Sequence, residues 1–335
     1  MNRHFTIPIF IPMEACPFHC IYCDQIKISG HKKLPHAEEI VLIVEKYLST
    51  IRSEQNEVEV GFFGGTFTGL KPNVQESYLE MIQPLINSGK ISGIRISTRP
   101  DMIDEDGLEL LQRLSVKTIE LGAQSMDNDV LKKSGRGHSA DDVIAASKLI
   151  KKRGLRLGLQ MMIGLPGDSM EKSIHTASKF IEMGANDVRI YPTLVINGTA
   201  LEKLYLKGQY VPLSLDEAID ITTKVLVTFE KSNTNIIRVG LHPSEELLNN
   251  KGLIAGPFHV SFRELVNTKI WSNLLESVCN KKSASTINIT VPENEINYAV
   301  GYKKANRKML ESFFDKVVFK TSDKLKKREF YVDYH

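Results

Sequence analysis

The run Ala15-Cys16-Pro17-Phe18-His19-Cys20-Ile21-Tyr22-Cys23-Asp24 contains three of the four cysteines of the chain, in the spacing C-x3-C-x2-C. This spacing brings three thiolates together on one tight loop, and cysteine thiolates are the usual ligands of iron–sulfur clusters. Four thiolates would close a metal site, whereas three leave one iron of a 4Fe–4S cluster without a protein ligand. The sequence therefore predicts a cluster on Cys16, Cys20 and Cys23, with one corner open to a small molecule.

Two other interpretations of the cysteine run are a zinc loop with a distant fourth ligand and a set of unrelated buried thiols. The remaining cysteine, Cys279, lies far away in a different sequence context, and His19 adjoins a ligand, which would strain a site of three cysteines and this histidine. Zinc sites normally show paired C-x2-C spacings or C-x2-C followed by H-x3-H. These observations favour the cluster.

Composition places the chain among soluble globular proteins. It has 335 residues, of which 42% are hydrophobic and 25% charged, enough for one large domain and a small one. No run approaches the roughly 18 apolar residues of a membrane helix, and no small-residue cleavage site follows the apolar start of the chain. Three clustered thiols with one left over fit a reducing compartment. We therefore expect a cytoplasmic protein that does not enter a membrane.

Strand and helix signals alternate through the first two-thirds of the chain. The strand-like runs are Phe5–Ile11, Val58–Phe63, Gly93–Ser97, Thr118–Gly122, Leu155–Ile163 and Asp187–Leu194. The helix-period segments that follow them are Ala37–Arg52, Asn73–Asn87, Asp104–Leu114, Asp141–Arg153, Met170–Met183 and Thr199–Lys207. Ser139 and Gly154 are typical caps for one of these helices. Six βα units predict an α/β fold with a parallel sheet.

The last third of the chain shows a different pattern. A helical segment, Ser214–Lys231, and a strand-like run, Ile236–His242, lead to a Gly- and Asn-rich boundary. Beyond it the pattern predicts a small α+β module, with one helix over Glu293–Phe314 and three strands, Ser285–Val291, Lys316–Thr321 and Glu329–Tyr334. The predicted domains are residues 1–255 and 256–335.

Glycines and polar residues gather where the predicted strands end, and in βα barrels the chemistry is found at those ends. Gly64, Gly65 and Thr66 follow the second strand, and glycines there let the backbone approach a ligand. Other candidates at strand ends are Arg99, Glu120, Gln124, Met162 and Ile163. The plainer alternatives are a polar rim whose side chains bond to one another and methionines that fill the core.

The cysteine triplet, with Tyr22 before its last cysteine, resembles the signature of the radical S-adenosylmethionine (radical SAM) superfamily. The resemblance implies an open, partial (β/α)6 barrel and SAM chelated to the open iron of the cluster. It implies that Gly64, Gly65 and Thr66 hold the amino group of SAM. By the same resemblance Arg99 would meet its carboxylate, Glu120 or Gln124 its ribose, and the strand at Met162 and Ile163 its adenine.

Within that superfamily, residues 61–204 resemble the catalytic subunit of Elongator, which modifies the wobble uridine of tRNA. The resemblance is carried by Ser97–Asp101, Glu120–Ser125, Arg136-Gly137-His138 and the fifth and sixth strands. The first two cysteines are closer together here, and there is no room for Elongator's acetyltransferase domain, so its acetyl-CoA chemistry is not expected. Arg136 and His138 would brace their loop or, as a sharper alternative, contact a substrate.

The C-terminal segment carries an excess of positive charge. From Pro257 onward there are 14 Lys and Arg against nine Asp and Glu, while the whole chain has a net charge of only +3. The run Gly301-Tyr302-Lys303-Lys304 resembles the G-x-x-G loop with which KH domains clamp a nucleotide backbone, although Lys304 replaces the second glycine. Candidate RNA contacts are Lys303, Lys304, Arg307 and Lys308, and a second basic cluster runs over residues 324–328. The alternative is a solvated helix face.

Together these resemblances imply an enzyme that cleaves SAM reductively to a 5′-deoxyadenosyl radical, with an electron donor such as flavodoxin or ferredoxin, and modifies a tRNA or rRNA nucleoside. One alternative is a radical SAM enzyme with a small-molecule or porphyrin-like substrate. The other is an RNA-binding protein that holds a cluster without catalysis, against which the intact cysteine triplet and glycine pair argue.

Overall fold

A computed structural model describes residues 4–11, 16, 19–24, 34–51, 57–241, 252–280 and 285–335. The chain divides into two compact units. The first consists of Met1–Ser214 with Val225–Pro257, and the second of Leu215–Lys224 with Phe258–His335. The division places residues 215–224 with the C-terminal part of the chain, which the sequence pattern did not predict.

The first unit is built on a curled, parallel half-barrel sheet, so the predicted fold class is confirmed. In their order across the sheet, its seven described strands are β1 (His4–Ile11), β2 (Glu57–Gly64), β3 (Gly93–Thr98), β4 (Val116–Gln124), β5 (Arg156–Ile163), β6 (Asp187–Pro192) and β8 (Asn235–Val239). Every pairing is parallel, so all carboxyl ends meet at one edge.

Helices connect these strands. The described helices of this part of the chain are α1 (Ala37–Leu48), α2 (Pro72–Glu80), α3 (Gln83–Asn87), α4 (Glu105–Arg113), α5 (Asn128–Lys133), α6 (Ala140–Lys152), α7 (Met170–Glu182), α8 (Ala200–Leu206) and α9 (Leu215–Glu230). Ser139 caps α6, as predicted, by accepting from the backbone N–H of Asp142 at 3.2 Å. Gly154 follows the helix with a φ of 72°.

Two helix predictions need correction. The segment predicted as one helix over Asn73–Asn87 is two, α2 and α3, because Pro84 lacks the backbone N–H that a continuous helix would use. The short helix α5 was not predicted, since six residues are too few to show a clear helical period. A small antiparallel sheet of two strands, β7 (Val195–Ile196) and β9 (Leu253–Ala255), also went unpredicted.

The second unit contains helix α10 (Phe262–Leu275), also absent from the predictions, and a three-stranded sheet. Strand β10 (Thr286–Pro292) lies in the middle, parallel to β11 (Lys316–Ser322) and antiparallel to β12 (Tyr331–Tyr334). The buried core of this unit consists of Trp271, Leu275, Val278, Ile287, Ile289, Val291, Ala299, Leu310, Phe314 and Val317.

The single helix predicted over Glu293–Phe314 is wrong. The chain forms α11 (Ile296–Val300) and α12 (Ala305–Glu311), separated by Gly301 at a φ of 87° and by Lys303 and Lys304 in left-handed conformations. A Cβ at Gly301 would lie 2.8 Å from the backbone nitrogen of Asn306, so only glycine fits this turn. The run compared with a G-x-x-G loop therefore does lie between two helices.

Candidate active site

The cysteine loop follows strand β1 at the carboxyl edge of the sheet. The N–H of Cys23 donates to the carbonyl of Cys20 at 3.1 Å, which closes the loop on itself. Ile21 fixes it from both sides, donating to Ser134 O at 3.2 Å and accepting from the N–H of Leu201 at 2.7 Å. Cys20 and Cys23 pack against a buried apolar layer formed by Tyr22, Val130, Leu165, Val195, Leu201 and Tyr210.

The sulfurs of Cys16 and Cys20 each have a polar side chain within hydrogen-bond distance. Cys16 Sγ lies 3.2 Å from Thr66 Oγ1, and Nη1 of Arg136 donates to Cys20 Sγ at 3.1 Å. The other terminal nitrogen of Arg136 donates to the carbonyl of Gly122. The sequence singled out Arg136 as a loop brace or substrate contact, but not as a partner of a cysteine, because the contact spans 116 positions.

The glycine pair after β2 lies directly against the end of β1. Gly65 N–H donates to the carbonyl of Ile11 at 2.7 Å, and Gly64 has a φ of 100°. A Cβ at Gly64 would lie 2.5 Å from the Ile11 oxygen, so this position requires glycine. The pair is held beside the cysteine loop, where the superfamily resemblance expects the amino group of SAM.

The concave face of the sheet encloses a cavity of about 1360 Å³. The predicted site residues that line it are Cys16, Cys20, Tyr22, Cys23, Gly64, Gly65, Thr66, Arg99, Glu120, Gln124 and Met162. Ile163 does not line the cavity. Successive side chains of a strand point to opposite faces, so Met162 faces the cavity and Ile163 is buried in the core behind it.

The polar residues predicted to contact SAM already have partners within the chain. Arg99 forms a two-pronged ion pair with Asp101, with both N···O distances 2.9 Å. Gln124 accepts from Nε2 of Gln160 at 3.1 Å. The alternative of a polar rim whose members bond to one another therefore describes these two residues.

Glu120 lies deeper, in a buried ionic network that the sequence analysis missed. Arg95 donates to Glu59 at 2.8 Å, to Glu120 at 2.7 Å and to Asp187 at 3.1 Å. Arg189 donates to both oxygens of Glu120, at 2.7 and 3.0 Å. Because two arginines occupy its carboxylate, the arrangement disfavours the predicted ribose contact of Glu120. The sequence did contain a signal for this network. Charged residues occur at alternate positions of the parallel strands, whereas such strands usually consist of apolar residues.

Two buried titratable groups, Tyr22 and His138, are kept neutral. Burial, followed by the charge of Arg136, lowers the pKa of His138 to about 4, although its Nε2 lies 3.2 Å from the carbonyl of Ala123. Burial raises the pKa of Tyr22 well above its ordinary value. The Tyr22 hydroxyl is buried and has no hydrogen-bond partner among the described residues.

These residues fit an iron–sulfur cluster. The described ranges contain no group of three His, Cys, Asp or Glu side chains arranged to hold a single metal ion. A single zinc ion would draw its sulfurs to about 3.8 Å from one another, given Zn–S bonds of about 2.3 Å and tetrahedral geometry. A 4Fe–4S cluster is larger, because each cysteine binds a different iron. Three soft thiolates, each free of a disulfide, supply the ligands that such a cluster uses.

The candidate RNA contacts lie in the second unit. Lys303, Lys304 and Lys308 are exposed, whereas Arg307 is half-buried and donates to the carbonyl of Val317 at 3.4 Å. In the second basic cluster Lys324, Lys326 and Lys327 are exposed.

Arg328, in the same cluster, points inward. It pairs with Glu295 at 2.9 Å and donates to Asn267 at 2.6 Å, so it stabilises the unit.

The described ranges include no helix with the length and apolar character that a bilayer span requires.

Known proteins resemble this chain over part of its length. It is 30% identical over 197 residues to the tRNA uridine(34) acetyltransferase of Methanocaldococcus infernus, covering 52% of this chain and 36% of that protein. It is also 30% identical over 207 residues to Elongator complex protein 3 of Dictyostelium discoideum, covering 61% and 36%. The chain thus spans about a third of these relatives.

The solved structure of archaeal M. infernus Elp3 has a TM-score of 0.65 and 22% identity, over 82% of this chain and 64% of that one. It supports the fold.

Family models cover most of the first unit. The model described as the Radical SAM superfamily matches residues 10–180, and that of the Radical_SAM C-terminal domain matches residues 185–272. The family uses a 4Fe–4S cluster and SAM, which confirms the predicted cofactors, and its members are enzymes. Since the first match covers half of its length, the chain belongs to the radical SAM superfamily.

Proposed function

We propose that this radical SAM enzyme modifies a nucleoside of RNA, with tRNA as the favoured substrate. The observation that carries the proposal is the 30% identity, over 52% and 61% of this chain, to proteins whose names specify tRNA uridine(34) or Elongator. The exposed basic loop at Lys303 and Lys304 supports it independently, because phosphate backbones are bound chiefly by such cations. The proposal does not extend to the product that these relatives form, because the match covers only 36% of each relative.

Residues at different positions of the site would have different roles. Cys16, Cys20 and Cys23 would hold the cluster, and the backbone at Gly64 and Gly65 would receive SAM. When bound, these cofactors supply reductive cleavage of SAM to a carbon-centred radical. The cavity on the concave face of the sheet has a volume of about 1360 Å³. It provides the space in which a flipped-out nucleoside can be oriented and shielded from water.

The proposal includes an electron donor, a cellular compartment and a division into two domains. A small electron-transfer protein such as flavodoxin or ferredoxin supplies the electron, and the reaction takes place in the cytoplasm, where thiols stay reduced. The domain division at residues 255 and 256 and the KH-like character of the second domain belong to the same proposal. The helix–loop–helix at Gly301–Lys304 supports the KH-like character of the second domain.

Nucleoside mass spectrometry of RNA from cells with and without the gene tests the substrate. We expect one modified nucleoside to disappear on deletion, to return with the parent gene, and not to return with Cys20→Ala. An unchanged RNA nucleoside profile across all four strains (parent, deletion and the two complemented strains) would refute the proposal and point to a small-molecule substrate.

A binding titration tests the basic loop. Changing Lys303, Lys304 and Lys308 to glutamine should flatten the slope of log affinity against log salt by roughly 0.7–0.9 for each phosphate that the variant no longer binds. Arg307→Gln should matter less, because its guanidinium is half-buried. A control that changes the exposed Lys46, Lys90 and Lys148 removes equal charge from the first unit. Equal slopes for both triple variants would favour a merely solvated helix face.

A further inference from the structure

Arg136 differs from three other arginines that line the cavity. Arg95, Arg99 and Arg189 each form ion pairs with carboxylates. Arg136 is only 7% exposed, yet in the described part of the chain no carboxylate pairs with it and its Nε has no hydrogen-bond partner. Its Nη1 donates to the sulfur of Cys20, at 3.1 Å.

A buried charge without a counter-ion is strongly unfavourable, because water no longer solvates it. The anion that this geometry offers to the guanidinium is therefore the thiolate of a cluster ligand.

The guanidinium is held in a fixed orientation. The backbone N–H of Arg136 donates to the carbonyl of Leu131 at 3.1 Å and fixes the main chain. One terminal nitrogen of the guanidinium donates to the carbonyl of Gly122 on strand β4. The second terminal nitrogen is then directed at Cys20 Sγ. A rigid donor on a cluster sulfur acts at full strength, since nothing must reorganise when charge arrives.

We propose that Arg136 is the counter-ion of the cluster, a positioning residue that holds the Cys20 thiolate and raises the reduction potential of the cluster. One-electron reduction by a small flavin or iron–sulfur protein adds one negative charge to the cluster and breaks no bond. A fixed positive charge and a hydrogen bond to sulfur stabilise that added charge, and both are known determinants of cluster potentials. The role concerns the cluster alone and does not depend on an RNA substrate.

Redox titration followed by electron paramagnetic resonance tests the role, on anaerobically reconstituted protein without SAM or RNA. We compare the parent with Arg136→Gln, which is neutral, and Arg136→Lys, which keeps the charge. The glutamine variant should disfavour reduction at least tenfold, a fall of about 59 mV for one electron. The lysine variant should lie nearer the parent. Arg113→Gln, a surface control paired with Glu76, should not move the potential.

A glutamine variant with the potential of the parent would overturn the proposal. If the glutamine variant assembles no cluster, iron content and circular dichroism decide. Loss of iron from a folded glutamine variant, with iron retained by the lysine variant, supports the charge role. Loss of iron from both variants overturns it and leaves Arg136 as a brace of the loop.

Discussion

The sulfur of Cys16 lies 3.2 Å from the hydroxyl oxygen of Thr66, although 50 positions separate them in the chain. Strands β1 and β2 run parallel with Ile11 opposite Gly64, so the residues that follow each strand meet at one edge of the sheet. A cluster-bound thiolate can only accept a hydrogen bond, and the hydroxyl of Thr66 would then donate.

Thr66→Val removes this donor while keeping the shape of the side chain. A hydrogen bond contributes about 1 kcal/mol, so reduction of the cluster should become roughly fivefold less favourable. Electron paramagnetic resonance during a redox titration measures the change. Thr66→Ser keeps a hydroxyl and should behave as the parent, and a valine variant with unchanged potential would contradict the contact.

The cysteines of the loop should each be essential for the cluster. Alanine at Cys16, Cys20 or Cys23 should abolish the binding of about four irons in anaerobic reconstitution. Cys279→Ala should retain them, because Cys279 packs against the core of the second unit. Iron analysis with absorption spectroscopy provides the measurement, and iron loss on changing Cys279 would disprove the three-cysteine assignment.

Substitutions of the two glycines after β2 should have different effects. Gly65→Val should keep the cluster but lose reductive cleavage of SAM, measured as 5′-deoxyadenosine release, because a side chain there crowds the methionine moiety. Gly64→Ala should instead destabilise the fold by about 1–3 kcal/mol, since its backbone is left-handed and the new Cβ meets Ile11. Unchanged 5′-deoxyadenosine release from Gly65→Val would refute its role.

The ionic network in the barrel should contribute strongly to stability. Glu120→Gln leaves Arg189 without its carboxylate partner, so the free energy of unfolding should fall by about 3–5 kcal/mol. Urea unfolding of the apoprotein measures it. Glu182→Gln, which breaks an exposed pair with Lys179, should cost at most about 1 kcal/mol. Similar losses in the two variants would argue against a structural role for the network.

His138 should make the fold less stable in mild acid. Its folded pKa of about 4 lies below the ordinary 6.5, so between these values the unfolded chain binds a proton that the folded protein excludes. This contribution is absent above pH 6.5 and destabilises by up to about 3 kcal/mol as the pH falls towards 4.

His138→Gln should flatten the pH dependence of apoprotein unfolding over this range. Parallel slopes for the parent and His138→Gln would contradict the pKa assignment.

The sequence by itself determined the architecture of this protein and predicted the ligands of its cluster. Hydrophobic period and cap residues are local signals, and they placed the six predicted strands close to their observed positions. The three cysteines could be assigned because they lie within eight positions of one another. Gly64 and Gly65 were found for the same reason, as a short motif at the end of one strand.

Only the tertiary structure decided which distant side chains meet. The contact of Arg136 with Cys20 and the sharing of Glu120 by two arginines depend on how neighbouring strands and loops align across the sheet. The strand pleat placed Met162 in the cavity and Ile163 behind it, and the backbone at Gly301 split one predicted helix into two. Each outcome rests on through-space packing and register, which no local pattern of residues encodes.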